Sequence, residues 1–226
     1  MVKEHFELVT DEEIQEMFLE HLDNPLRMVS ETDPSFKKLR NSFLSRKKYI
    51  DKMGFSLFTR EFLIELKTVM DQKNISEFVE VYAGYGTFTL FLNQLGLAGK
   101  GITFKPDGNW GLTPDNIILE KNLELKHIIF HDIANIHIAN RDMIVASWIP
   151  YRGGQELITF YNNHPRDYFP YLLLVGEGYG GCTGSDEFFD FLDENFDEEY
   201  HFENFRRFDA IYDRCILYKR KDHHVN

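Results

Sequence analysis

Two regions of this 226-residue chain carry residue types and spacings that could do chemistry. The first is Phe78 to Leu92, F-V-E-V-Y-A-G-Y-G-T-F-T-L-F-L. It begins as an apolar, β-branched run, turns at Gly84-x-Gly86 and continues with helix-compatible apolar spacing, which predicts strand, turn and helix. Glycines let backbone N–H groups approach a polar ligand, and the following helix N-terminus offers unpaired donors and partial positive charge. Glu80 falls near the carboxyl end of the strand, where open α/β sheets bind ligands. The same two glycines also suit a plain tight turn. A dinucleotide fingerprint fits poorly: Thr89 stands at its small third position, and Phe104-Lys105 falls where its acidic residue belongs, about 20 positions on.

The second region is the pair of loops around Trp148-Ile149-Pro150-Tyr151 and Gly176-Glu177-Gly178-Tyr179-Gly180-Gly181-Cys182-Thr183. Glu177 follows an apolar run and opens a pliable glycine-rich loop. It is read either as a general base or as an acceptor of backbone N–H bonds that hold the loop. Tyr151 and Trp148 could form an aromatic wall around a cationic group, or simply pack. Cys182 has no adjacent His or Lys to lower its pKa, so a packed thiol is the simpler role. His127, His131 and His137 match no zinc spacing, and no metal site is expected.

These residues need a scaffold, and the hydrophobic pattern supplies one. Thr10 opens a helix to about Leu22 with a capping-box-like start. A second helix is predicted from Pro34 to about Lys52, and a third carries Phe62, Leu63, Leu66 and Met70 on one face. From residue 75 strands alternate with other segments: Gly101–Phe104, His127–Phe130, Asp142–Ser147 and Tyr171–Val175 follow the opening strand. A helix over Ser185–Asn195 and a closing pair, His201–Phe208 and Arg214–Lys219, complete a mostly parallel sheet covered by helices. The division expected is a helical extension over 1–74 and an α/β domain over 75–226.

Composition narrows the classes. A hydrophobic fraction of 43% with 15% aromatic residues is that of a globular chain. No apolar run reaches the roughly 18 residues of a membrane span. The acidic, polar start does not resemble a signal peptide, and only Cys182 and Cys215 occur, which together predict a cytoplasmic protein. A net charge of −12 disfavours nucleic acid as a partner. The basic clusters Lys37-Lys38-Arg40 and Arg46-Lys47-Lys48 read most simply as solvated faces.

The strand series with a motif at each end resembles the class I S-adenosylmethionine-dependent methyltransferase fold: Rossmann-like, seven strands, mostly parallel, the last antiparallel. E-V-Y-A-G-Y-G is similar to the family's first motif, acidic-x-G-x-G-x-G, with Tyr82 at the first glycine. The resemblance implies S-adenosylmethionine as cofactor. Glu80, Tyr82, Gly84 and Gly86 would lie at its amino-acid part, Asp107 near the ribose, Asp132 at the adenine, and Ser147 and Trp148 at the end of the fourth strand. Asp132 serves equally as a helix cap.

S-W-I-P-Y followed by L-L-L-V-G-E-G-Y-G-G-C-T-G resembles a narrower methyltransferase-like group with Ser-Trp-Pro-Pro-Tyr-like and Gly-Glu-x-x-Gly-Gly-Cys-Thr-Gly-like stretches. In amino-group methyltransferases an Asn/Asp-Pro-Pro-Tyr loop orients the target nitrogen, but an indole cannot accept that hydrogen bond. A small-molecule or protein acceptor, with Glu177 and Tyr151 nearby, is the expectation. The alternatives are a non-catalytic module acting through a partner, and a nucleic-acid methyltransferase using the basic helices.

Overall fold

A computed structural model describes residues 8–84, 86–103, 126–127 and 141–222. The opening helices are set by their caps. Thr10 and Glu13 form a reciprocal capping box on α1 (Asp11–Met17), and Asp33 caps α2 (Pro34–Arg40), whose first position is proline. The helix expected to run from Pro34 to Lys52 is in fact two. Ser42 leaves the helical conformation and accepts a hydrogen bond from Ser45 N, starting α3 (Phe43–Met53). Thr59 likewise caps α4 (Arg60–Gln72).

Then follow β1 (Glu77–Val81), α5 (Thr87–Gln94), β2 (Ala98–Thr103), β3 (Lys126–His127), β4 (Met143–Ser147) and α6 (Gln155–Asn163). The chain closes with β5 (Tyr171–Gly176), α7 (Asp186–Asn195), β6 (Phe196–His201) and β7 (Arg214–Arg220). The sixth strand lies earlier than the expected His201–Phe208. Beyond His201 the carboxylate of Glu65 on α4 accepts from Glu203 N and Asn204 N, which draws the backbone out of the sheet. Positions 128–130 of the expected third strand lie outside the described residues.

Among the described residues these strands form one seven-stranded sheet, in the order β3-β2-β1-β4-β5-β7-β6. The pairs from β3 to β5 are parallel, and β7 is antiparallel to both β5 and β6. This order and the single reversed strand are those of the Rossmann-like class I methyltransferase sheet expected above. Alternation along each strand divides the core. Phe78, Met143, Val145, Leu173 and Leu217 face one side, where they join α4, α5 and the buried residues of α1–α3 in a single apolar cluster. Val79, Val81, Ile144, Leu172, Leu174 and Ile216 face α6 and α7. Residues 8–72 therefore complete the layer over one face of the sheet. Among the described residues, no helix is long and apolar enough to cross a membrane.

Packing at the β1–β2 seam leaves no room for a side chain at Gly99, which lies opposite Phe78. A Cβ there would come within 2.4 Å of the Phe78 ring. Gly99→Ala is expected to lower stability in urea unfolding by about 1–3 kcal/mol, the range for overpacking a core.

Candidate functional site at the carboxyl edge of the sheet

Parallel pairing aligns the carboxyl ends of β1, β4 and β5, and their loops meet above the sheet. After β1, Tyr82 adopts φ 60, the left-handed backbone that favours glycine, and Gly84 and Gly86 follow at 53 and 74. The strain at Tyr82 is offset by burial of the ring and by a hydrogen bond from its hydroxyl to Glu156 on α6, at 3.2 Å. The turn closes through Gly86 N to Ala83 O at 2.7 Å, and Gly86 then caps α5. A Cβ at Gly84 would meet no atom of the described residues within 4 Å.

Beneath this turn Glu80 is 1% exposed and accepts a hydrogen bond from the Thr89 hydroxyl. Burial pushes its carboxyl up to about 7, against the opposing pull of the Thr89 bonds and the Ser147 hydroxyl. Beside the turn, Ser147 ends β4, and Thr87 Oγ1 at the first position of α5 is buried with no hydrogen-bond partner among the described residues. Thus Glu80, Tyr82, Gly84, Gly86 and Ser147 occupy the two facing strand ends, and Thr87 joins them. Asp107 and Asp132 lie outside the described residues.

The β4 and β5 loops are laced together. Trp148 N donates to Val175 O, Gly184 N to Ile149 O and Arg152 N to Gly184 O, at 2.8, 3.1 and 3.0 Å. Trp148 and Tyr151 have different neighbours. The Trp148 ring stacks on Phe55, 4.7 Å between centroids, and so faces the segment after α3. Tyr151 is 64% exposed, with the Arg152 guanidinium 5.2 Å over its ring. It stands on the rim of a cleft of about 560 Å³ whose other walls include Gly181, Ser185, Glu187 and Phe189.

Of the two roles open to Glu177, the geometry supplies the loop-holding one. Oε2 accepts from Cys182 N at 2.6 Å and Oε1 from Tyr212 N at 3.0 Å. Burial pushes this carboxyl up, but the two backbone bonds and nearby Arg46 outweigh it and hold the group below the usual range. Gly181 is required because Glu177 Cβ lies 2.5 Å from where its own Cβ would stand. Cys182 is exposed rather than packed.

The carboxyl group that burial does perturb upward here is Asp213, just before β7. It is 6% exposed, and desolvation together with the Glu177 charge pushes it up to about 7, in spite of Arg46, Trp148 and Arg207. Asp213 was not singled out in the sequence because its neighbours are distant in the chain. Arg46 was read as part of a solvated basic face, yet its guanidinium packs over the Phe208 ring at 5.7 Å and its Nε is buried. The signal for Arg46 is its place one residue past Ser45, on the buried stripe of Ser45, Tyr49 and Met53.

No family model matches the chain, and no curated protein does. Among solved structures it is similar to a ribosomal-protein methylase from Lactobacillus delbrueckii subsp. bulgaricus (16% identity, 75% of this chain and 83% of that one, TM-score 0.45). It is also similar to magnesium protoporphyrin IX methyltransferase from Synechocystis, with bound S-adenosylmethionine (12%, 82% and 94%, 0.48). A third is an S-adenosylmethionine-dependent methyltransferase from Clostridium acetobutylicum (10%, 72% and 92%, 0.47). The fold assignment rests on strand order and direction.

Folded Asp213 keeps its proton up to about pH 7, whereas the unfolded chain releases it near 3.8. Between those values the folded state binds more protons, so this residue makes the protein less stable as pH rises. Asp213→Asn removes that slope. Relative to the parent it should be about 2 kcal/mol more favourable at pH 8 than at pH 5, in denaturant melts at both pH values.

Proposed function

We propose that the chain is a methyltransferase that uses S-adenosylmethionine and acts on a small molecule or a protein side chain. The observation that carries this reading is the crevice between β1 and β4. A buried carboxyl at Glu80 with the Thr89 and Ser147 hydroxyls beside it, a glycine turn and the buried Thr87 hydroxyl lie together where the strand order reverses. That donor and acceptor set fits an α-amino acid group. Glu80 and the hydroxyls suit its ammonium, and the N–H groups that open α5 suit its carboxylate. When bound, S-adenosylmethionine supplies an electrophilic methyl group on sulfur.

The residues of this chain then have the task of binding and alignment. Glu80, Gly84, Gly86, Thr87 and Ser147 hold the amino-acid end, with Tyr82 keeping the turn's backbone in place and Trp148 ending β4 beside them. Asp107 and Asp132 are assigned to the ribose and adenine by resemblance. The cleft bordered by Tyr151 takes the acceptor. Its rim of Tyr151 and Phe189, with Arg152 opposite Asp186 and Glu187, suits a polar ligand with an apolar body. Glu177 shapes this wall by holding the loop. The motif pair around Trp148 and Glu177 supports membership of the narrower methyltransferase-like group. The two free thiols, Cys182 and Cys215, support a cytoplasmic setting. The net charge of −12 weighs against a nucleic-acid acceptor.

Calorimetry with S-adenosylmethionine and S-adenosylhomocysteine tests the reading. Micromolar-range binding, roughly −8 kcal/mol, is expected, and Gly84→Trp should abolish it while leaving the circular dichroism spectrum unchanged. If the folded protein binds neither compound, the proposal fails in favour of a non-catalytic module that acts through a partner.

A further inference from the structure

The cleft beside Tyr151 carries two opposite charges, Arg152 and Asp186, in the lining of one cavity of about 560 Å³. Both are presented by fixed backbone. Arg152 takes φ 61, and its N–H donates to Gly184 O at 3.0 Å, while Tyr151 bridges to the same glycine. Gly184 lies two residues before Asp186, which opens α7 behind the Ser185 cap. That cap accepts from Phe188 N at 3.2 Å. The segments that carry the two charges are therefore tied to each other.

Neither charge is neutralised within the protein. Among the described residues Arg152 and Asp186 form no ion pair, whereas Lys38, Arg40, Lys47 and Lys73 each pair with a carboxylate. The Arg152 guanidinium lies 5.2 Å over the Tyr151 ring. Stacking of this kind uses the flat face of a guanidinium and leaves its N–H edge to bind a carboxylate through two parallel bonds. Glu187 is engaged at the helix start, where its own backbone N–H and the Ser185 hydroxyl hold its carboxyl below the usual range. Asp186 is thus the open carboxylate. The rest of the lining includes aromatic surface. Tyr151 is 64% exposed, and the Phe189 ring packs so closely on Gly184 that a Cβ there would come within 3.1 Å of it.

The class of ligand follows from these groups. A plain anion meets Arg152 and is repelled by Asp186 and Glu187; a plain cation meets the carboxylates and is repelled by Arg152. A neutral ligand leaves both charges to water. A molecule with a carboxylate and an ammonium meets both, and an apolar side chain on it covers the aromatic surface. The cavity falls within the size of small-ligand sites, roughly 300–1,000 Å³.

We propose that this cleft binds an α-amino acid with an apolar side chain, its carboxylate on the Arg152 guanidinium, its ammonium on Asp186 and its side chain against Tyr151 and Phe189. The amino acid's role as acceptor rests on the methyl-transfer reading above. Its binding does not, because none of these groups belongs to the β1–β4 crevice.

Calorimetry of the full chain with L-phenylalanine, 3-phenylpropionate and 2-phenylethylamine, at low ionic strength and near neutral pH, provides the test. Each analogue lacks one of the two charged groups. L-phenylalanine should bind about tenfold or more tightly than either, the effect of one hydrogen bond between charged groups. Arg152→Met should remove the preference over 2-phenylethylamine, and Asp186→Asn the preference over 3-phenylpropionate. Gly84→Trp should leave L-phenylalanine binding unchanged, which separates the cleft from the amino-acid end of the crevice. The proposal is overturned if L-phenylalanine does not bind, if the three compounds bind equally, or if both preferences survive Arg152→Met and Asp186→Asn. It is likewise overturned if Gly84→Trp abolishes the binding. Binding of S-adenosylmethionine without L-phenylalanine would remove this site alone. Binding of L-phenylalanine in the cleft without S-adenosylmethionine would keep the site and remove the methyl-transfer reading.

Discussion

The parallel pairing of β1 with β4 is the constraint on which the rest of this structure depends. Strands adjacent in the sheet but separated in sequence reverse the winding direction of the chain. The helices that follow them must therefore leave on opposite faces, α5 toward one cluster and α6 toward the other. The register is held at the other end by Asp142, whose carboxylate accepts from Ser76 N and Glu77 N at 2.7 and 3.0 Å. With that end pinned, Glu80 lies opposite Val145 and Ser147 ends β4 just past the β1 register. A slip of one residue would turn Phe78 and Glu80 to the α6 face and empty the crevice of its carboxyl group.

Above the sheet, stability is traded for shape. Tyr82, Trp148 and Arg152 all take positive φ at the carboxyl edge, where each reversal costs on the order of 1–3 kcal/mol. Each is held by neighbours. Tyr82 is bonded to α6, Trp148 is stacked on Phe55 and tied to β5, and Arg152 is bonded through its backbone to Gly184. The buried carboxyls of Glu80 and Asp213 add a second cost, since desolvation raises both toward neutrality. Asn74 and Phe169 take positive φ near the strand starts as well, so it is the raised carboxyls of Glu80 and Asp213 that set the carboxyl edge apart.

The opening helices are part of this edge as well as of the core. Phe18, Tyr49, Phe58 and Phe62 are fully buried and join the sheet-facing cluster, so residues 8–72 contribute to the same packing as β1 and β4. The segment after α3 stacks Phe55 on the Trp148 ring, and the Arg46 charge on α3 favours the ionised form of Asp213. The helices thus set the environment of loops that lie far from them in sequence.

The sequence by itself determined the strand series, the glycine turn and the sheet type. Period-two apolar runs and capping residues are local signals, and local signals survive without knowledge of the fold. It also showed that Glu80 and Gly84 belong together, because they lie within one strand–turn unit. Only the tertiary structure supplied the partners of Glu177, which are Cys182 N, five residues away, and Tyr212 N, thirty-five away. It alone stacked Trp148 on Phe55 and placed Tyr151 at the rim of the cleft. A side chain's burial and charge environment depend on what the fold brings beside it, and desolvation has no signature in residue spacing.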